Sequence, residues 1–318
     1  MVFKVGIIGF GKIAQDQHLP AIRSNPNFEL TAVASQRGLT PDEAKHTFTD
    51  YREMLREVPD LDAVAICTPP QVRHAIARDV LEAGKHVLLE KPPAATLSEL
   101  EDLRRIAGEM GKVVFTTWHA QYNRGVDVAR DTLAGRTVRR LLVTWKEDVR
   151  HWHPGQQWIW QAGGFGVFDP GINALSIVTK IMPQPVFIKQ SVLQFPENRD
   201  APIAASLKLS TGTEGADLQA VFDWRQTGPQ TWDIEVDCEG GPLLKLSHGG
   251  RRLEVDGSLV VEEGDDEYPE IYRRFETLLA SGRVEVDDAP FRLAADAFMI
   301  GRRVQVEAFD DDPAQGGH

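Results

Sequence analysis

The sequence predicts an α/β protein of two domains: a doubly wound parallel sheet over residues 1–120, then an α+β domain over 121–318 with a large, mostly antiparallel open sheet. Three observations carry this. A chain of 318 residues is long enough to require two hydrophobic cores. Its first 120 residues alternate short β-rich runs with helical periodicity, the signature of βαβ units. Beyond residue 120, long alternating runs follow one another with turn residues between them and few helices, the signature of antiparallel strands.

Taken in order, residues 3–9 (FKVGIIG) read as a buried strand followed by a helix to about residue 24. Residues 28–35, 62–67, 86–90 and 112–118 supply further strands, with helices near 50–57, 71–83 and 97–110 between them. In the second half, 139–149, 203–212, 216–224 and 231–240 alternate apolar and polar side chains as strands do. Helical patterns return near 172–181, 267–281 and 290–307, the last placed to pack back on the first domain. The acidic run 262–267 reads as a solvated turn, and residues 310–318 are too polar to fold alone.

Composition narrows the function. Apolar residues make up 42% and charged residues 26%, with 27 Gly and 19 Pro, which excludes disordered, collagen-like and coiled-coil classes. The net charge of −12 repels phosphate backbones and anionic lipid, so neither nucleic acid nor a membrane is an expected partner. Cys67 and Cys238 fit neither a disulfide framework nor a zinc pattern. No apolar run approaches the length of a bilayer span, and the start carries no leader pattern, so a cytoplasmic address is expected.

Gly9-Phe10-Gly11-Lys12-Ile13-Ala14 fits G-x-G-x-x-A directly after the first strand and opens the first helix. There glycines admit a pyrophosphate close to the backbone, and the small sixth residue lets helix pack on strand. The helix N-terminus faces the phosphates. The second strand ends Ala34-Ser35-Gln36-Arg37, without the carboxylate that binds an adenosine 2′-hydroxyl. A hydroxyl beside a guanidinium suits a 2′-phosphate, so NADP is the preferred cofactor of this reading and NAD the second. The first domain is therefore predicted to be a Rossmann fold.

Glu90-Lys91-Pro92-Pro93 follows another predicted strand, on the edge where doubly wound sheets bind ligands. Proline at 92 biases Lys91 toward extended backbone and holds its side chain on a stiff turn. The opening turn, Ala65-Ile66-Cys67-Thr68-Pro69-Pro70 with His74, the strand ending HVLLEKP, and GGFGVFDPGINAL at 163–175 together resemble the Gfo/Idh/MocA oxidoreductases. Within that family the likeness runs to aldose 1-dehydrogenases acting on D-galactose or L-arabinose.

The resemblance implies substrate between the two domains and a homodimer or homotetramer built through the second sheet. It also implies that Thr68, Pro69, Pro70, His74 and Glu90 line the nucleotide, and that Lys91 touches nicotinamide ribose and sugar. Asp169 matches the aspartate of the family's second-domain motif. Where many members carry His or Tyr as the acid/base, four residues on, this chain has Asn173. An amide cannot exchange a proton near neutrality, which argues against an imidazole-dependent inositol, polyol or keto-sugar dehydrogenase. A non-catalytic sugar or nucleotide sensor of the same fold is a third reading.

Oxidation of a hemiacetal requires a base for the anomeric hydroxyl, and the candidates are Lys91 and Asp169, with Lys91 favoured. Glu147, at the end of strand 139–149, is expected to hold sugar hydroxyls with Asp169 and Asn173. Three tryptophans lie between 152 and 160; Trp152 is the expected stacking face, His119 and Trp232 are further substrate contacts, and Trp158 and Trp160 read as core or oligomer contacts. His151 and His153 near Asp148 lack a third spaced ligand, so no metal is expected.

Overall fold

The computed structural model describes residues 2–264 and 266–311. Most of the polar C-terminal stretch, 312–318, and Asp265 of the acidic run lie outside the described residues. The described residues divide into two units, the first taking 2–119 and 266–288, the second 120–264 and 289–311.

The first unit runs β1 (Phe3–Ile8), a wide π-turn (Ala14–His18) continuing into α1 (Leu19–Ser24), β2 (Phe28–Ala34), β3 (His46–Phe48), α2 (Tyr51–Glu57), β4 (Ala63–Ile66), α3 (Pro70–Glu82), β5 (His86–Leu89), α4 (Leu97–Met110) and β6 (Val114–Thr116). All its strand pairs are parallel, in the order β3-β2-β1-β4-β5-β6. The order reverses between β1 and β4, which opens a crevice at the strands' carboxyl ends. Val5, Ile7 and the whole of β4 and the end of β5 are buried, as continuous apolar runs covered on both faces must be. The short β3 carries too little pattern to be seen in the sequence.

Within the second unit lie α5 (Arg124–Leu133), β7 (Val138–Lys146), α6 (Val149–Trp152), α7 (Phe168–Ile181), β8 (Phe187–Pro196), β9 (Ala204–Ser210), β10 (Asp217–Asp223), β11 (Thr231–Cys238), β12 (Leu243–Ser247), β13 (Arg252–Val255) and β14 (Ser258–Glu262). Between β14 and the end of the described chain come α8 (Glu267–Ser281), α9 (Ala289–Met299) and β15 (Arg302–Val306). The nine-stranded sheet has the order β14-β13-β12-β11-β7-β10-β9-β8-β15. Its pairings are antiparallel except β7 with β10 and β8 with β15, so the sheet is mixed. α7 lies on this sheet, with Phe168 edge-on to Phe222 at 5.6 Å, and Phe168 also meets Phe298 of α9 at 4.9 Å.

Two expectations need correction. The helix expected over 290–307 is α9 followed by an edge strand, because Gly301 interrupts the helical run and Arg302–Val306 alternates; both belong to the second unit. The helix that completes the first unit is α8, and its Glu267 opens that helix instead of a solvated turn. Tyr268, Ile271, Tyr272, Phe275, Leu278 and Leu279 form one buried stripe at helical spacing. Phe275 stacks parallel to Phe28 and Phe115, each at 6.2 Å, and Tyr272 stands edge-on to Phe28 at 5.2 Å. Burying such side chains contributes about 1.5–3 kcal/mol each, enough to hold a helix supplied from far along the chain.

Candidate active site

In the first unit the loop after β1 lies against the loop after β4. Gly9 adopts φ +88°, and a Cβ there would stand 3.0 Å from the Cys67 carbonyl carbon and from Thr68 N, so only glycine fits. A Cβ on Gly11 would meet no atom within 4 Å, which leaves open space before the turn where the motif requires a diphosphate. Phe10 is buried, Ala14 packs at the start of the π-turn, Ile13 is half-buried, and Lys12 is exposed and ion-paired with Asp16. Thr68 Oγ1 is buried without a hydrogen-bond partner, beside Pro69 and the first residue of α3, Pro70. An unpaired hydroxyl and an uncrowded glycine at this edge fit a nicotinamide dinucleotide. Ser35 is buried where β2 ends, and Gly38 N donates to its carbonyl at 2.9 Å, closing a turn that leaves Gln36 and Arg37 exposed.

The tripeptide Glu90-Lys91-Pro92 is clamped by its backbone. Lys91 N donates to Glu90 Oε2 at 3.1 Å and to Thr117 Oγ1 at 3.2 Å. The buried guanidinium of Arg73 donates to the carbonyls of Glu90, Pro92 and Thr68, joining this turn to the one after β4. Glu90 is itself buried: Oε1 receives His18 Nε2 at 2.9 Å and Tyr268 OH at 2.6 Å. Burial would push this carboxyl up, but the hydrogen bond and charge of His18, the Tyr268 hydroxyl and the charge of His119 hold it at about 2. Conversely, burial opposes protonation of His18, yet Cys67, Tyr272 and the hydrogen bond to Glu90 raise the imidazole well above its ordinary value, the direction that favours an ion pair.

A second cluster forms in the other unit. Glu147, 2% exposed at the end of β7, accepts from the indole N–H of Trp232 at 2.8 Å and of Trp224 at 3.3 Å. Asp169, 4% exposed in the first turn of α7, and Glu147 flank His153, whose Nε2 is 3.5 Å from Glu147 Oε1 and whose Nδ1 is 3.7 Å from Asp169 Oδ2. Asn173 follows Asp169 by one turn, and its Oδ1 is buried without a partner. Trp152 is half-buried, its ring 5.0 Å from that of Trp232. These groups offer two acceptors, an imidazole, an unmet amide oxygen and indole faces, a set suited to a polyhydroxylated ligand.

The expected residues thus fall into two groups. Glu147, Asp169, Asn173, Trp152 and Trp232 come together in the second unit; the glycine-rich turn, Thr68, Glu90 and Lys91 come together in the first. Two expected contacts are engaged elsewhere. His74 Nε2 pairs with Asp102 of α4 at 2.9 Å, and His119 Nδ1 meets Glu267 at 2.5 Å with its ring stacked on Tyr268. Burial works against protonation of His119, but Glu267 raises its pKa overall. Trp160 is core, its N–H on Asp311 at 2.8 Å. Sequence reasoning missed His153, weighed only as a metal ligand, and His18, Arg73 and the α8 tyrosines, which local spacing does not connect to Lys91. Among the described residues no group of three His, Cys, Asp or Glu side chains could hold a metal ion, and no helix is long and apolar enough to cross a membrane.

Comparison with known proteins adds the following. The Gfo/Idh/MocA oxidoreductase family, with its NAD-binding Rossmann fold, matches residues 3–118. The chain is 46% identical over 310 residues to galactose 1-dehydrogenase of Pseudomonas fluorescens, covering 97% of this chain and 99% of that protein. The crystal structure of a D-galactose-1-dehydrogenase from Rhizobium etli shares 52% identity at a TM-score of 0.92, covering 97% of this chain and 98% of that one. A 3-ketoreductase from Actinomadura kijaniata in complex with NADP, 22% identical, has the same fold at a TM-score of 0.80 over 96% of this chain and all of its own. A glycine-rich turn shaped for a dinucleotide, a clamped lysine at the adjoining strand edge and similarity along nearly the whole length have one reading: the chain belongs to the Gfo/Idh/MocA family and is an NAD(P)-dependent oxidoreductase related to the galactose 1-dehydrogenases.

Proposed function

We propose that this enzyme oxidises C1 of an aldose, D-galactose, L-arabinose or a close stereochemical relative, to the aldonolactone, with NADP preferred over NAD. The observation that carries the reading is the pair of buried carboxylates, Glu147 and Asp169, flanking His153, with Glu147 bonded to the indole of Trp232, whose ring lies 5.0 Å from that of Trp152. Fixed acceptors bind sugar hydroxyls, and indole faces match the C–H faces of a pyranose. The galactose dehydrogenases named above support the choice of substrate class.

Each residue then has a role. Lys91 removes the anomeric hydroxyl proton, its backbone held by Glu90 and Thr117. Asp169 and Asn173 share one face of α7 and hold adjacent hydroxyls; Glu147 and His153 hold others, Glu147 being fixed by two indole donors. Trp152 covers the sugar. The nicotinamide cofactor, when bound, would supply the hydride acceptor for C1. Gly9 and Gly11 admit the diphosphate, Thr68 Oγ1 meets the nucleotide, and Ser35 with Arg37 takes the 2′-phosphate. A second copy of the chain on the open face of the nine-stranded sheet is part of the proposal, as is a reducing, cytoplasmic setting for the free thiols Cys67 and Cys238.

Initial rates with a panel of aldoses, inositols and polyols, each with NADP and NAD at several pH values, test this reading. Turnover of galactose or arabinose is expected, faster at low NADP than at low NAD. Turnover confined to inositols or polyols would favour the second reading, against which Asn173 stands. Tight nucleotide binding with no reduction by any sugar would mark a sensor.

A further inference from the structure

We propose that His18, together with Tyr268, is a positioning group for Lys91: it holds one carboxylate oxygen of Glu90 so that the other is aimed at the Lys91 amide. The contacts run in one line within the first unit. Tyr272 OH lies 2.9 Å from His18 Nδ1, His18 Nε2 lies 2.9 Å from Glu90 Oε1, and Glu90 Oε2 accepts from Lys91 N at 3.1 Å. Tyr268 adds a second donor to Glu90 Oε1 at 2.6 Å. His18 reaches this point because the wide turn Ala14–His18 ends with its ring fully buried, immediately before α1. The two tyrosines come from α8, so three segments distant in sequence converge on one carboxylate.

The line ends at the Lys91 backbone amide, and the groups act through it. This rests on the reading of Lys91 as the base. Glu90 faces His18 from the π-turn, Tyr268 from α8 and the amide of its own neighbour Lys91. Behind these stand Tyr272, Cys67, His119 with Glu267, and the Arg73 guanidinium on the Glu90 carbonyl. Among these groups His18 is the cation in contact with the Glu90 carboxylate. Without its charge, burial drives the carboxyl to take up a proton, and a protonated carboxyl donates where a carboxylate accepts.

The test uses full-length enzyme. His18→Gln keeps a donor toward Glu90 but removes the charge, so a role in packing alone is largely preserved. The variant is expected to lose kcat about tenfold or more near pH 6 and to recover to within about threefold near pH 9, with KM values changed less than about twofold. In the background Glu90→Gln, which cannot titrate, that acid limb is expected to vanish. A His18→Gln profile parallel to the parent's, or a limb that persists with Glu90→Gln, would overturn the proposal. If His18→Gln does not fold, Tyr268→Phe, which removes the second donor to Glu90 Oε1 and leaves the His18 contact in place, is expected to lower kcat about threefold or more at every pH with KM little changed; a kcat equal to the parent's would overturn the proposal.

A second readout does not depend on turnover. Pro92 and Pro93 have no amide hydrogen, so hydrogen exchange of a peptide ending at Pro93 reports on Lys91 N–H with few neighbours. Exchange about tenfold faster in His18→Gln than in the parent, at matched pH, is expected; equal exchange would overturn the positioning role. Lys91→Met, assayed alongside, separates the two ideas, since normal turnover there rejects the lysine as base while leaving the exchange result to judge His18.

Discussion

Glu147 Oε2 receives the indole N–H of Trp232 at 2.8 Å, a hydrogen bond between the ends of two paired strands, β7 and β11. It turns a strand-end carboxylate, which in most proteins would be solvated, into a buried and oriented acceptor. The same indole stacks on Trp145 at 5.8 Å and meets Trp152 at 5.0 Å, so one side chain joins the acidic and aromatic halves of the cluster.

Trp232→Phe retains the ring but leaves Glu147 short of a donor, and a buried group so deprived costs about 1–3 kcal/mol. Thermal unfolding is expected to shift down accordingly, with KM for the sugar raised. Trp152→Ala, by contrast, is expected to raise KM about tenfold with little change in stability, because the ring is half-buried. Steady-state kinetics beside a melting curve separate the two.

Lys91→Met and Asp169→Asn distinguish base from binder. If Lys91 takes the proton, its loss is expected to lower kcat by about 100-fold or more, while Asp169→Asn raises KM more than it lowers kcat. The reverse pattern would transfer the base role to Asp169.

Arg37→Ala is expected to reduce kcat/KM with NADP by about tenfold and leave that with NAD within about twofold, the difference of one charge-assisted contact. Equal losses with both cofactors would remove the guanidinium from the phosphate.

Arg73→Met withdraws donors from the carbonyls of Thr68, Glu90 and Pro92 in one change. Several buried acceptors are then left short, and a loss of about 3 kcal/mol or more in stability is expected, readable by urea denaturation. Affinity for the cofactor is expected to fall as well, since the same side chain joins both turns at the strand edge.

The pH dependence of stability follows from the His18–Glu90 pair. Glu90, held at about 2, stabilises the fold above the ordinary glutamate value of about 4.3 and loses that contribution as pH falls toward 2. His18, raised well above its ordinary value, contributes fully below about 6.5 and loses its share as pH rises through its folded value. The difference in melting temperature between the parent and a His18→Gln, Glu90→Gln double variant is therefore expected to be largest between about pH 4.5 and 6.5 and to shrink on either side. A difference independent of pH would mean the pair is not ionic.

Much of this was legible in the sequence because it is local. The glycine turn, the strand ending at Lys91 and the one-turn spacing of Asp169 and Asn173 each lie within a few residues, and each can be read from periodicity and residue type. What stayed hidden depends on contacts across long stretches of chain. Sequence alone does not bring Glu267 against Nδ1 of His119, expected as a sugar contact, nor does it place His153, set aside as a metal ligand, between two carboxylates. Strands β12 to β14 were passed over because they are short, and α8 was assigned to the wrong unit because an amphipathic stripe does not say which sheet will cover it.

The placement of α8 has a consequence for biosynthesis. As the chain leaves the ribosome, the parallel sheet is complete by β6, yet Phe28, Phe115 and His18 must wait for aromatic partners encoded beyond residue 266. Until the intervening domain has been translated, the nascent sheet presents a greasy flank and a glutamate that still lacks its Tyr268 donor, so the lysine turn acquires its final setting only near the close of synthesis.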